Sequence, residues 1–165
     1  MTREPTPDLD PETLAELSEL RKQADQDALR DPGTLAYSLT GNWAFRPHNA
    51  LVANELVNLH TGEHKRLMVM PPPQTGKSSL LAIWAPFWWL CLHPEHKVII
   101  ASYGQQLAVG RGRAIRKLVQ EHGWRYGLHI AKGSGSVAEW ELETGGGVKA
   151  VGFGSAVTGF SADLL

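Results

Sequence analysis

The feature that most constrains this chain is the stretch PPPQTGKSSLLAIWAPFWWL, residues 71–90. An apolar run at residues 67–70 leads into it, and an apolar helical segment follows from about Lys77. A phosphate-binding loop needs backbone N–H groups converging at a helix N-terminus, a lysine that reaches the β/γ-phosphates, and a hydroxyl that holds Mg²⁺. Gly76, Lys77 and Ser78 stand in that order at the expected junction. The departure is Pro71, five residues before Gly76, where such loops carry their first glycine. Proline fixes φ and removes a donor. The phosphate-facing donors come from residues 74–78, so prolines at 71–73 stiffen the loop entry and leave those donors in place. The expected nucleotide-binding set is therefore Pro73, Gln74, Thr75, Gly76, Lys77, Ser78 and Ser79. Lys77 is the catalytic cation and Ser78 the Mg²⁺ ligand, with ATP as the nucleotide. The plainer alternative is a proline turn before an apolar helix.

The elements around the loop give a fold class. Asp10-Pro11 reads as N-cap and first residue of a helix over residues 10–30, with Thr13, Leu14, Leu17 and Leu20 as a modest apolar face and Arg30-Asp31-Pro32-Gly33 as its stop. Residues 47–64 read as a helix ended by Thr61-Gly62, with Leu51, Leu56 and Leu59 as its stripe. Residues 67–70 and 97–102 read as buried strands. The helix after the loop runs through Trp84 until Pro86 bends or restarts it. Residues 104–123 read as a helix with Leu107, Ile115, Leu118 and Val119 inward and basic residues outward. Residues 137–154 read as two strands joined by the glycine turn Gly145-Gly146-Gly147. Two apolar strands, each followed by a helix, imply an α/β fold of the P-loop NTPase type, with a mainly parallel sheet flanked by helices. Residues 1–42 are expected to form a disordered tail and an accessory helix, and residues 43–165 the nucleotide-binding part.

Composition adds limits. A length of 165 residues fits one domain. The single cysteine, Cys91, excludes an internal disulfide framework and reads as a buried structural thiol. The apolar stretch at residues 80–92 is too short to span a bilayer and is broken by Pro86, so no membrane association is expected and the cytoplasm is the expected compartment. Residues 1–32 hold nine acids and four bases, and residues 33–165 eight acids and twelve bases. A mildly basic body suits a polyanion partner.

Residues 47–78, PHNALVANELVNLHTGEHKRLMVMPPPQTGKS, resemble the start of the ATPase domain of phage terminase large subunits, the motors that package viral DNA. That family has a Pro-His helix, a Gly-Glu approach to the first strand and a proline-led variant of the Walker A loop. KVIIASYGQQLAVGRGRAIRKLV, residues 97–119, resembles its second strand, Ser-Tyr turn and following helix with Gly-Arg-x-x-Arg, here Gly112-Arg113 and Arg116. Residues 145–165 resemble the approach to the Walker B strand. The resemblance spans about residues 43–165 and implies ATP hydrolysis that drives double-stranded DNA into a procapsid. It also implies a portal protein, a small terminase subunit and a homo-oligomeric ring as partners, and the host cytoplasm as location. Arg111, Arg113 and Arg116 become candidate DNA or subunit contacts, beside the alternative of a solvated basic face. Many terminases carry an arginine within the loop, where this chain has Gln74, and some carry one where it has Phe160. No apolar run here ends in Asp or Glu, so the Walker B carboxylate and the nuclease carboxylates are not in the sequence, and Asp163 only precedes Leu164-Leu165. Residues 43–165 then correspond to the front half of an ATPase domain, incomplete at its C-terminus, expected to bind nucleotide weakly and not to turn it over. The alternatives are another helicase-like DNA-translocating ATPase, or a non-catalytic prophage fragment.

Other groups are weighed more briefly. His60 with His64 and His93 with His96 stand at metal-ligand spacing but without nearby cysteine or a clustered carboxylate, so they read as surface and loop histidines. Trp84, Trp88 and Trp89 read as core rather than a base-stacking platform. His48 and Trp43 are candidates for the edge of the nucleotide site.

Overall fold

The structure is a computed structural model and describes residues 10–154 and 160–165; most of the expected N-terminal tail, residues 1–9, lies outside the described residues. Helix α1 (Pro11–Ala28) starts as its sequence dictates. The Asp10 carboxylate accepts from the Thr13 N–H at 2.9 Å and from its hydroxyl at 2.7 Å, and Pro11 sits where no N–H is needed. Its leucines at 14, 17 and 20 stay exposed. The helix joins the body near its C-terminal end. There the Arg125 guanidinium pairs with the Asp25 carboxylate, both largely buried, and Arg21 lies over the Trp124 ring at 5.0 Å. Asp25→Ala leaves a buried guanidinium whose Nε already lacks a partner. It is expected to cost roughly 1–3 kcal/mol and to release α1 to protease. Unchanged melting and an unchanged digestion pattern would show that the pair does not anchor the helix.

Helix α2 (Pro32–Thr40) was read from sequence only as the stop of α1. Asp31 repeats the capping chemistry of Asp10: one carboxylate oxygen accepts from Gly33 N–H and Thr34 N–H at 2.8 and 2.9 Å, the other from the Thr34 hydroxyl at 2.6 Å. Leu35 and Ala36 reach the main core, so the segment before residue 43 contributes to the body itself. Helix α3 (Pro47–Thr61) ends at Gly62, whose φ of 85° is left-handed, as Thr61-Gly62 predicts.

From Lys77 the chain is helical without a break to Leu92, in three parts: a single turn α4 (Lys77–Ser79), a π-helical segment (Leu80–Trp84) and α5 (Ala85–Leu92). The Ala85 N–H donates to Leu80 O, five residues back. Pro86 follows at once, and a widened turn here relieves the clash of a proline ring with the carbonyl four residues earlier. Pro86 thus neither ends nor restarts the helix. Trp84, Trp88, Phe87 and Leu90 are buried from this run, and the Trp88 indole N–H donates to Leu29 O at 2.7 Å. These tryptophans are core, as expected. Burial pushes the Cys91 thiol well above its ordinary range, consistent with a structural role.

The sheet has three strands in the order β1-β3-β2 and is mixed. Strand β1 (Lys97–Ser102) pairs in parallel with β3 (Gly147–Gly152), Val98 opposite Val148. Strand β2 (Glu139–Glu141) pairs antiparallel with β3, Trp140 opposite Val148. The expected glycine-turn hairpin is therefore present, and an α/β architecture with it. The expected buried strand at residues 67–70 is not. The segment is irregular and has no strand partner among the described residues, and Met68 and Met70 are 82% and 86% exposed. A strand is made by its ladder, and the free edge of β1 is met instead by Leu164, which bridges in parallel to Val98. Leu67 and Val69 line a hollow of about 840 Å³ opposite Val98, Ile100 and Leu164.

Helix α6 (Gln105–His122) crosses the sheet with Ile115 and Val119 buried. Leu107, expected inward, is 55% exposed, because the buried face of the helix runs through Ala108, Gly112, Ile115 and Val119 and Leu107 lies about 100° off it. Gly112 allows the close crossing: a Cβ there would lie 3.2 Å from both Ala150 Cβ and Val137 O. Among the described residues no helix is long and apolar enough to cross a membrane.

Candidate functional site

The loop of residues 71–76 runs from the irregular segment to the start of α4. Two of its residues are left-handed, Gln74 at φ 61° and Gly76 at φ 85°. Glycine adopts this conformation freely, whereas at Gln74 it costs about 1–2 kcal/mol. The loop holds its shape from inside and from outside. The Thr75 hydroxyl donates to Pro72 O at 2.9 Å. From α3, His48 Nε2–H donates to Thr75 O at 2.9 Å, which fixes the imidazole tautomer.

Lys77 reaches back across the loop and donates from Nζ to Pro71 O at 3.0 Å. Gly76 O accepts from the Ser79 and Leu80 N–H groups at 3.1 Å, which closes the first helical turn. Among the described residues no backbone acceptor meets the N–H groups of Thr75, Gly76, Lys77 or Ser78. Four donors without a backbone acceptor thus lie in sequence at or just before one helix start, the place where helices bind anions. Ser78 is exposed beside them, Pro73 and Gln74 lie exposed on the loop, and Ser79 is half-buried.

A hollow of about 240 Å³ opens beside the loop. Gln74, Thr75, Gly76 and Ser79 line one side, and Trp43, Ala44, Arg46 and Asn49 the other. Asn49 is buried, with its amide nitrogen 3.5 Å from where a Cβ on Gly76 would lie. Asn49 and Arg46 escaped the sequence reading, although they flank the Pro47-His48 pair it singled out. Their neighbourhood depends on α3 starting against the loop, which no periodicity announces. Arg46 brings to this hollow the cationic side chain that Gln74 does not supply.

The three arginines of α6 lie elsewhere and separate from one another. Arg116 is held: its guanidinium donates to Ser134 O at 2.8 Å, Ser136 O at 3.2 Å and Gly135 O at 3.3 Å, pinning the loop before β2. Arg113 is exposed and Arg111 half-buried. Phe160 lies near two ammonium groups, Lys149 at 4.9 Å and Lys97 at 5.5 Å from its centroid. Asp163 accepts from the Lys97 N–H at 2.8 Å, so its carboxylate caps the entry of β1, the end opposite to that where parallel α/β sheets carry their sites.

Fold and site together describe a small α/β chain with a helix-start loop rich in unpaired donors. The sequence matches no protein-family model, no curated protein and no solved structure.

Proposed function

We propose that the loop at residues 71–79 binds the phosphates of ATP, and that the chain is the nucleotide-binding part of a P-loop ATPase of the terminase large-subunit kind. The observation that carries this reading is the four N–H groups of residues 75–78 without a backbone acceptor at one helix start, with Lys77 folded back over the loop to Pro71 O. In it, Lys77 leaves Pro71 O and neutralises phosphate charge, as the backbone donors hold the phosphate oxygens. The Ser78 hydroxyl would hold a magnesium ion, and Arg46 would add positive charge from the far wall of the hollow. Bound Mg·ATP supplies the phosphoanhydride whose hydrolysis would drive movement of double-stranded DNA into a procapsid. Partners in this reading are DNA, a portal protein, a small terminase subunit and further copies in a ring, in the host cytoplasm. The resemblance at residues 47–78 and 97–119 supports that part.

Titrating the chain with a fluorescent ATP analogue and Mg²⁺ tests the nucleotide site directly; saturable binding displaced by ATP is expected, and its absence in folded protein would overturn the reading. The basic helix gives a second test. Arg113 is exposed and makes no hydrogen bond or ion pair among the described residues. Arg113→Ala in the assembled motor is expected to lower DNA-stimulated hydrolysis several-fold and leave ATP binding unchanged. Equal stimulation in mutant and parent would return that face to solvent.

A further inference from the structure

The turn between α5 and β1 gathers three imidazoles and a carboxylate. His93, Glu95 and His96 each place a ligating atom within 4.8 Å of the others. The His93 and His96 rings stack, with centroids 4.3 Å apart and planes 11° from parallel. His60, from the last turn of α3, directs Nδ1 at His93 Nε2 over 3.1 Å. Glu95 lies 3.6 Å from His96 Nε2. The carboxylate comes from within the same short segment, His93-Pro94-Glu95-His96, and the fold adds His60.

The turn is braced. His96 N–H donates to His93 O at 3.1 Å, Gly147 N–H donates to His96 O at 3.1 Å, and the Thr144 hydroxyl donates to Pro94 O. The β2–β3 turn therefore holds the backbone that presents the ligands. Imidazole nitrogen with carboxylate oxygen is a donor set for borderline divalent ions, zinc above all, and a poor one for magnesium or calcium. Tetrahedral zinc sets its ligand atoms about 3.4 Å apart. Glu95 is exposed and His96 half-buried, so rotation of their side chains can close the remaining separation.

We propose that His93, Glu95 and His96, with His60 as a fourth donor, form a structural zinc site that fastens the C-terminal end of α3 to the α5–β1 turn. The opposite end of α3 carries His48, which holds Thr75. The site therefore braces the helix that supports the loop.

The tautomers supply a readout. The Trp89 indole N–H donates to His96 Nδ1 at 3.1 Å, so the neutral His96 ring carries its proton on Nε2. Ligation at Nδ1 displaces the indole. Ligation at Nε2 moves the proton to Nδ1 and removes the acceptor. Either way Trp89 loses this bond when zinc binds.

The test uses the full chain, freed of any affinity tag and of metal. Zinc titrated by calorimetry is expected to bind one ion per chain at micromolar or lower dissociation constant, to raise the melting temperature and to change tryptophan emission. Cobalt in its place is expected to give the visible absorption of a tetrahedral site. Glu95→Gln and His93→Ala should each weaken binding at least tenfold. Their melting in chelator, compared with that of the parent, identifies which variant remains folded. No binding to the parent, or unchanged affinity in a folded variant, would overturn the site. Failure here leaves the nucleotide reading standing, because none of these residues touches the loop.

Discussion

Lys77→Ala is expected to abolish detectable Mg·ATP binding, weakening it at least a hundredfold, or roughly 3 kcal/mol. Lys77 is the side-chain ammonium bound to the loop itself, at Pro71 O. Removing it takes away the main counter-charge to a triphosphate and leaves the backbone donors to hold the anion alone. The loop's other ties, from His48 and within Thr75, do not involve Lys77, so the fold should persist. Arg46 lines the hollow beside the loop and gives an internal comparison: Arg46→Ala should weaken binding less. Circular dichroism establishes folding and a nucleotide titration reads the affinity. Unchanged affinity in folded Lys77→Ala protein would sink the loop assignment.

The largest effect on stability should come from Trp88→Ala, at about 3–5 kcal/mol. Trp88 is 1% exposed, and its indole ties α5 to Leu29, 59 residues earlier. Truncation opens a cavity in the core cluster that Trp88 shares with Phe87 and Leu35, and it leaves the half-buried Leu29 carbonyl without this partner. A fall in melting temperature on the order of 10 °C is expected for a chain of this size. Trp124→Ala is the contrast, since that ring is 55% exposed and should cost little. Equal melting of the two variants would show that the core is not where the burial pattern places it.

The parts of this fold that were legible in sequence are those written in local chemistry. Asp10-Pro11 starts α1, Thr61-Gly62 ends α3, and three glycines turn β2 into β3. The same local chemistry misled where one signal has two readings. Asp31-Pro32 stops one helix and starts the next, and only its start was missed. Residues 67–70 have the composition of a strand, but pairing is a tertiary fact, and Leu164 occupies the edge that the segment would need. Leu107 faces solvent because the buried stripe of α6 is set by the small residues Ala108 and Gly112, which carry little hydrophobic signal, and not by the leucines. At the candidate site, Gly76, Lys77 and Ser78 are contiguous and were found. Asn49 and Arg46 arrive from a helix about thirty residues earlier. The histidine pairs were visible, but the partner that joins His93 to His60 lies 33 residues away.

The π-helical segment has a consequence for the loop. An α-helix advances about 100° per residue. The run from Lys77 to Leu92 is anchored at one end by buried Phe87, Trp88 and Leu90, and at the other carries Lys77 and Ser78 where the loop ends. One wide turn between them sets the angular phase of the lysine relative to the core. Deleting one residue from 80–84 would restore regular helix and leave the core contacts of α5 in place, yet it would swing Lys77 and Ser78 by about 100° around the helix axis. The segment works as a phase shifter, and the aim of the loop depends on an irregularity that lies wholly outside it.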